Sequence, residues 1–366
     1  MITAENFTLE HIEYVKGSRK VDKTILERSI YALGLLEALA RVGLPYIFKG
    51  GTCLLLLLDS PMRLSTDIDI IVKPGTDFEH YLEEASKIIP FKRKEEQERQ
   101  RSGSIEKRHY KFTYDSPAYG REFYILLDIL FEENHYAQLI QKPIRNSLLI
   151  TEEPYVNVTM PTAECIMGDK LTAFAPHTTG IPFGVGKELE IIKQMYDVSC
   201  LFDIATNFSD VYETYMETVK SEIAYREKDI TYREVLLDTI NAAACVASRG
   251  LVGEDYPQFF AGIKAITGHI FDGRFTAELA IGRACKVMYA AACILSNTEM
   301  KRIENPDDYI RAQISVPEYA KLYKIRKFEP EGYAYVIEAL KLIGNMLNKN
   351  LPNLKSPRET AGRKRR

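Results

Sequence analysis

The 366-residue sequence lacks paired cysteines, a strong excess of either charge, and apolar runs long enough to cross a bilayer. Its six cysteines are scattered with no C-x-x-C pair, which argues against a zinc site and a disulfide framework and fits a reducing cytosol. The formal net charge is −3, so a nucleic-acid partner would have to contact a local basic patch. Apolar runs such as residues 54–58 and 125–130 are far too short to span a bilayer, and the N-terminal segment holds no signal-peptide core. We therefore expect a cytoplasmic protein with no membrane contact.

The most informative segment is residues 49–72, KGGTCLLLLLDSPMRLSTDIDIIV, in which a Gly-Gly-Thr turn precedes two closely spaced acids. Alternate side chains of a strand share a face, so Asp67 and Asp69 would project together while Ile68 points into the core. Two carboxylates on one face repel each other unless a cation lies between them. The alternative is a pair of solvated acids at a strand end. The apolar residues 70–72 and the upstream glycine turn favour a metal site.

A third acid, Asp128, interrupts the otherwise apolar run EFYILLDILF at residues 122–131. Burying an ionised carboxylate in such a strand is costly unless it has a partner. The alternative is an acid near a strand end that reaches water or caps a turn. If the strand pairs with that of Asp67 and Asp69, Asp128 completes a two-metal site, whose cations stabilise both the attacking and the leaving oxygen.

The spacing of apolar residues predicts an α+β fold in which the composition changes near residue 162. Helical and strand patterns alternate before that point, and helical patterns dominate after it. We predict an N-terminal catalytic domain over 1–160, with a mixed β-sheet flanked by helices. A mainly α-helical domain would follow over 161–350, and a basic tail over 351–366, which we expect to be disordered.

A basic stretch at residues 91–111 holds eight Lys and Arg residues, interrupted by glutamates and a Ser-Gly-Ser turn. Runs of charge are usually solvated surface. The functional alternative is contact with the phosphate backbone of a nucleic acid. The affinity of such contacts depends on salt concentration and not on the nucleotide sequence.

The chain resembles the AbiEii/AbiGii toxin family of nucleotidyltransferases, within the polymerase-β-like superfamily. The resemblance covers about residues 49–203 and rests on K-G-G-T at 49–52, R-L-S-T-D-I-D at 63–69, D-K-L-T-A-F at 169–174 and K-Q-M-Y-D-V at 193–198. It implies an enzyme of toxin–antitoxin or abortive-infection type that transfers NMP from an NTP to an acceptor hydroxyl and releases pyrophosphate. It also implies Mg²⁺, a possible tRNA acceptor (at its 3′ end) and a possible cognate antitoxin.

In the family, the glycine turn and the following helix start hold the nucleotide phosphates. Gly50 and Gly51 would let the backbone approach an anion closely, and Thr52 would add a hydroxyl contact. Ser65 occupies a serine or threonine position of the family motif and would touch phosphate, although a turn or capping serine is an equal alternative.

The resemblance assigns Asp67 and Asp69 as the metal pair, which suits Mg²⁺ because hard cations prefer oxygen ligands. Asp128 would be the third carboxylate, acting as general base or in metal-assisted activation of the acceptor hydroxyl. Lys170 would contact the triphosphate, and Asp197, which relatives need for activity, could orient Lys170 across two helices. The alternatives are an exposed helix lysine and an ordinary helix acid.

Two positions depart from the family pattern. His177 lies where relatives often have an arginine, and Gln194 lies where they often have a second acid. Two further functions stay open: the same site could modify a protein or a small molecule such as an aminoglycoside, or the chain could be a non-catalytic NTP-binding protein that acts through partners.

Overall fold

The computed structural model describes residues 1–88, 91–97 and 106–348, and the chain divides into two compact units. One unit comprises Met1–Thr162 and Thr267–Arg274, and the other comprises Ala163–Ile266 and Phe275–Arg366. The predicted α+β class is confirmed, since the sheet lies in the N-terminal part and helices dominate the C-terminal part. The predicted tail over 351–366 lies outside the described residues.

A five-stranded mixed sheet with the order β1-β2-β5-β4-β3 forms the centre of the first unit. Its central strands β2 and β5 run parallel, whereas the other neighbouring strands are antiparallel. The strands are β1 (Ile47–Lys49), β2 (Asp67–Val72), β3 (Phe91–Glu96), β4 (Lys107–Asp115) and β5 (Glu122–Phe131).

Alternation of side chains along these strands gives the sheet one apolar face and one polar face. Ile68 on β2, Leu127 and Ile129 on β5 and Phe112 on β4 are fully or almost fully buried. Asp69 and Asp128 alternate with these residues, are half-buried and point to the opposite face, where charged side chains lie among apolar ones such as Leu126 and Leu130.

The helices of the first unit are α1 (Leu9–Lys16), α2 (Lys23–Arg41), α3 (Leu54–Leu57) and α4 (Glu79–Ala85). The long helix α2 begins at Asp22, whose side chain accepts hydrogen bonds from the first free N–H groups of the helix. Its Tyr31 stacks on Tyr114 of β4 with ring centroids 3.7 Å apart, which ties α2 to the sheet. Strands β6 (Leu139–Pro143) and β7 (Asn157–Pro161) form a separate antiparallel pair.

The second unit is helical and packs around α10, which contacts α6, α8 and α11. Its helices are α5 (Ala163–Ala173), α6 (Glu188–Ile204), α7 (Phe208–Tyr225), α8 (Tyr232–Ala247), α9 (Tyr256–Ala265), α10 (Ala277–Ser296) and α11 (Pro330–Asn348). Within the described residues, α10 is long and apolar enough to cross a membrane by length and composition, but 72% of its most apolar window is buried. Its sequence is therefore that of a core helix of this unit.

Candidate active site

The glycine turn after β1 lies directly against one of the predicted metal ligands. Gly50 has a φ of +82°, and a Cβ added there would lie 2.0 Å from Oδ2 of Asp69. Only glycine satisfies both the backbone angle and the close approach. The turn and the Asp69 carboxylate therefore form one site.

The second glycine of the turn packs against two residues of the segment before β2. A Cβ at Gly51 would lie 2.8 Å from Nη2 of Arg63 and 3.2 Å from Oγ of Ser65. Arg63 is 4% exposed, and its Nη1 donates to the main-chain oxygen of Leu64 at 3.1 Å. The segment is held in place because the Leu64 N–H donates to the His269 oxygen at 2.7 Å, within the part of the chain that returns to this unit. Sequence reasoning gave Arg63 no role.

Thr52 stabilises the glycine turn through a side-chain hydrogen bond. Its side chain is fully buried, and its hydroxyl donates to the main-chain oxygen of Asp67. The hydrogen bond links the start of the short helical segment to the first residue of β2. The structure therefore gives Thr52 a positioning contact, while its predicted contact with phosphate stays a prediction.

The three predicted carboxylates share the polar face of the sheet. Asp69 lies beside Asp128 in the parallel register of β2 and β5, and Asp67 precedes Asp69 by two residues. Arg28 of α2 places Nη2 3.8 Å from Oδ1 of Asp67. The expectation that Asp128 lies on a strand paired with that of the other two acids is confirmed.

The polar row continues across two further strands. Lys49 of β1 is in register with Asp69, and His109 of β4 is in register with Asp128. The His109 Nδ1 and Asp128 Oδ1 atoms lie 2.7 Å apart. His109 was missed from the sequence; its place in an alternating strand indicated the shared face, but no pattern indicated which acid it would meet.

The donor atoms of this face suit a hard divalent cation because they are carboxylate oxygens. Within the ranges 1–88, 91–97 and 106–348, no group of three or more His, Cys, Asp or Glu side chains is spaced to hold a metal ion. The assignment of Asp67, Asp69 and Asp128 as metal ligands therefore stays a prediction, supported by their shared face and register.

In the second unit, Lys170 and Asp197 form the pair that the motifs predicted. Lys170 Nζ of α5 lies 2.8 Å from Oδ2 of Asp197 of α6 and 3.1 Å from Oε1 of Gln194. Lys170 is 7% exposed and Asp197 is 0% exposed, so the alternatives of an exposed lysine and an ordinary helix acid do not describe them. Gln194, a departure from the family pattern, contributes a neutral acceptor to the same lysine.

His177, the other departure, is held within the second unit. Its main-chain N–H donates to Oδ2 of the buried Asp238 at 2.8 Å, and its Nε2 lies 3.0 Å from Oδ2 of Asp255. Thr178 donates its hydroxyl to the same Asp238 oxygen at 2.8 Å. The loop between α5 and α6 is therefore anchored at this point by the Asp238 carboxyl group, whose pKa burial raises above its ordinary value.

The basic stretch at 91–111 is largely neutralised by neighbouring acids. Four of its cations lie within 3.2 Å of carboxylate oxygens. These ion pairs are Lys92–Asp115, Arg93–Glu122, Lys94–Glu79 and Arg108–Glu96. Arg99 and Arg101 lie outside the described residues. The described part of the stretch therefore favours the solvated-surface interpretation over contact with a phosphate backbone.

A glycine turn in contact with an Asp-x-Asp strand, on a mixed sheet followed by a helical unit, defines the class of the nucleotidyltransferases. The family model "Nucleotidyl transferase AbiEii toxin, Type IV TA system" matches residues 34–271. Because the match spans more than half of the chain, the chain belongs to this family. Membership makes the chain a nucleotidyltransferase of toxin type and implies an NTP substrate and a cognate antitoxin.

Two solved structures are similar to the chain. The crystal structure of JHP933 from Helicobacter pylori has a TM-score of 0.44 and 12% identity, over 76% of this chain and 94% of that one. A second crystal structure from H. pylori, described as a candidate nucleotidyltransferase, has a TM-score of 0.44 and 14% identity, over 74% and 96%. A search of curated proteins gives no match.

Proposed function

We propose that the chain is an Mg²⁺-dependent toxin that transfers NMP from an NTP to an acceptor hydroxyl and releases pyrophosphate. The observation that carries this proposal is the contact between Gly50 and Asp69. A turn that lets the backbone approach phosphate adjoins a carboxylate suited to the cation that phosphate needs. Nucleotidyl transfer requires both at one place.

The chain's own residues would bind the phosphates and the cation. Gly50 and Gly51 admit the phosphate oxygens to the backbone, with Ser65 beside them. Asp67 and Asp69, with Asp128 on the next strand, would hold Mg²⁺, which when bound neutralises the charge that develops on the phosphate.

Proton transfer and departure of pyrophosphate use other groups. His109 fixes one oxygen of Asp128, and Asp128 accepts the proton of the acceptor hydroxyl. The family resemblance assigns the outgoing phosphates to Lys170, whose ammonium group Asp197 and Gln194 orient within the second unit.

The 3′ end of tRNA is the acceptor that we favour, because the family resemblance points to it. Modification of a protein or a small molecule such as an aminoglycoside by the same site is the second candidate. A non-catalytic NTP-binding role has less support, since a purely binding protein gains nothing from a cluster of three carboxylates on one face.

The test is incubation of the full chain with α-labelled NTPs, Mg²⁺ and total tRNA, with EDTA as the metal-free control. We expect label on RNA, and we expect Asp67→Ala and Asp69→Ala to lose transfer while keeping the wild-type circular dichroism spectrum. Asp77→Ala is the matched control, because Asp77 is an exposed acid of the same unit. Label on protein would favour the second candidate. Normal transfer by Asp69→Ala would refute the metal assignment.

A further inference from the structure

A cavity of about 550 Å³ lies in the first unit, between the end of α3 and the loop that follows β6. The α3 side contributes Leu57 and Asp59, and the opposite side contributes Lys142 near the end of β6 and Arg145 and Ser147 of the loop. Its volume is within the range of pockets that hold small organic ligands, roughly 300–1,000 Å³. Its walls combine apolar side chains, hydroxyl and amide groups, two cations and the carboxylate of Asp59.

The two cations of the cavity differ from those of the basic stretch. Among the residues that the structure describes, neither Lys142 nor Arg145 lies within ion-pair distance of an acid, whereas Lys92, Arg93 and Lys94 each do. Arg145 instead lies over the Tyr155 ring, 5.0 Å from its centroid. Two cations against the single carboxylate of Asp59 leave the wall of the cavity with a net positive charge.

Buried polar side chains hold the loop wall of the cavity rigid. Asn6, which is fully buried, donates Nδ2 to the Ile150 oxygen at 2.7 Å and accepts from the Ile150 N–H at 2.8 Å. His11 Nε2 lies 2.8 Å from the Leu148 oxygen. Asn146 Nδ2 donates to the Leu55 oxygen at 3.2 Å and so links the loop to α3. A wall fixed in this way loses little entropy when a ligand binds.

We propose that this cavity binds a nucleotide unit of a single-stranded nucleic-acid acceptor, with its phosphate at Lys142 and Arg145 and its base against the apolar side chains of α3. Proteins that hold single strands track the phosphate backbone with a cationic groove, and burial of the apolar face of a base against leucine side chains adds to binding. The cavity begins about five residues after the glycine turn, or about 8 Å at the rise of a helix. The inference rests on the proposed function for the identity of the strand as acceptor.

The test is fluorescence anisotropy of a labelled single-stranded RNA with the full chain, in the absence of NTP and Mg²⁺. Lys142→Gln and Arg145→Gln should each weaken binding about tenfold, as expected for a lost charge-assisted hydrogen bond. Each should also lower the salt dependence of binding by about one unit of slope. Lys20→Gln and Lys73→Gln remove exposed cations of the same unit outside the cavity and should leave binding unchanged.

Wild-type affinity of both cavity variants, or an equal loss in the two controls, would overturn the proposal. AMP that competes as strongly as the RNA would overturn the assignment to a strand and point to a free nucleotide. Asp69→Ala should bind the RNA normally while losing transfer. Failure of transfer in the wild type therefore counts against the proposed function, and failure of RNA binding counts against the cavity.

Discussion

Removal of Asp197 should destabilise the second unit far more than removal of a surface acid on the same helix. The Lys170–Asp197 pair joins α5 to α6 at 2.8 Å, with Asp197 fully buried. Asp197→Ala leaves the Lys170 ammonium buried beside the neutral Gln194 acceptor, without its carboxylate partner, which costs about 3–5 kcal/mol of unfolding free energy. For a unit of this size the loss corresponds to a fall in Tm of about 6–20 °C.

The assay is urea and thermal unfolding followed by circular dichroism. Asp203→Ala is the matched control, because Asp203 also lies on α6 and pairs with a lysine, Lys286, at 2.7 Å but is 48% exposed. Its removal should cost less than about 1 kcal/mol. The double variant Lys170→Met/Asp197→Leu removes both charges and should recover most of the lost stability.

Equal stabilities of Asp197→Ala and Asp203→Ala would refute the buried pair. If the double variant were no more stable than Asp197→Ala, the loss would come from packing and not from the unpaired charge. The measured stability also determines the temperatures at which transfer assays of Asp197→Ala can be interpreted. Loss of activity in Asp197→Ala is evidence for a catalytic contribution only at temperatures where the second unit stays folded.

Three further substitutions test other parts of the structure. Gly50→Ala should abolish NTP binding, measured by calorimetry, because the added Cβ collides with the Asp69 carboxylate. Gly75 has a similar φ of +80° but lies in open space, so the control variant Gly75→Ala should lose stability and keep NTP binding. His109→Ala should lower kcat about 10–100-fold with little change in KM for NTP, because the variant loses the residue that orients the Asp128 carboxylate. His80 is exposed, and the control variant His80→Ala should behave as wild type. Burial raises the pKa of Asp238 above 3.8, so between the unfolded and the folded pKa the folded state keeps a proton that the unfolded state has lost. The free energy of unfolding therefore falls as the pH rises through that window. Asp238→Asn should remove this fall, measured in unfolding titrations between acidic and neutral pH.

The polar face of the sheet could be predicted from sequence because strand alternation is local. The spacing of Asp67 and Asp69 fixes their shared face, and the single acid in an apolar run identified Asp128. The contacts of His109 and Arg63 could not be predicted. They depend on which strands become neighbours and on a segment near His269 that returns to pair with Leu64, and no local pattern encodes either arrangement.

The basic stretch shows the same limit for electrostatics. Its sequence gives the number of cations but not their partners, and the glutamates that neutralise them lie partly on distant elements, such as Glu79 on α4 and Glu122 on β5. The two cations of the cavity, Lys142 and Arg145, do not form a basic run, so the sequence alone does not indicate a binding site there. What distinguishes them is that, among the described residues, neither forms an ion pair, which is a property of the fold.

In the proposed scheme, the groups that activate the nucleotide and the cations that recognise its acceptor lie in different segments of the first unit. A side chain at Gly50 would collide with the Asp69 carboxylate, so the glycine turn and this predicted metal ligand are packed directly against each other. The loop of Lys142 and Arg145 is anchored elsewhere, by Asn6 and His11 near the chain start. Substitutions of Lys142 and Arg145 can therefore change which strand is bound without moving the carboxylates, since neither side chain takes part in the contacts of Asn6 and His11 that hold the main chain of the loop. A toxin of this design could alter its acceptor while keeping its chemistry, and Lys142→Glu should accordingly reduce transfer to RNA through KM for the RNA alone, with kcat and KM for NTP unchanged.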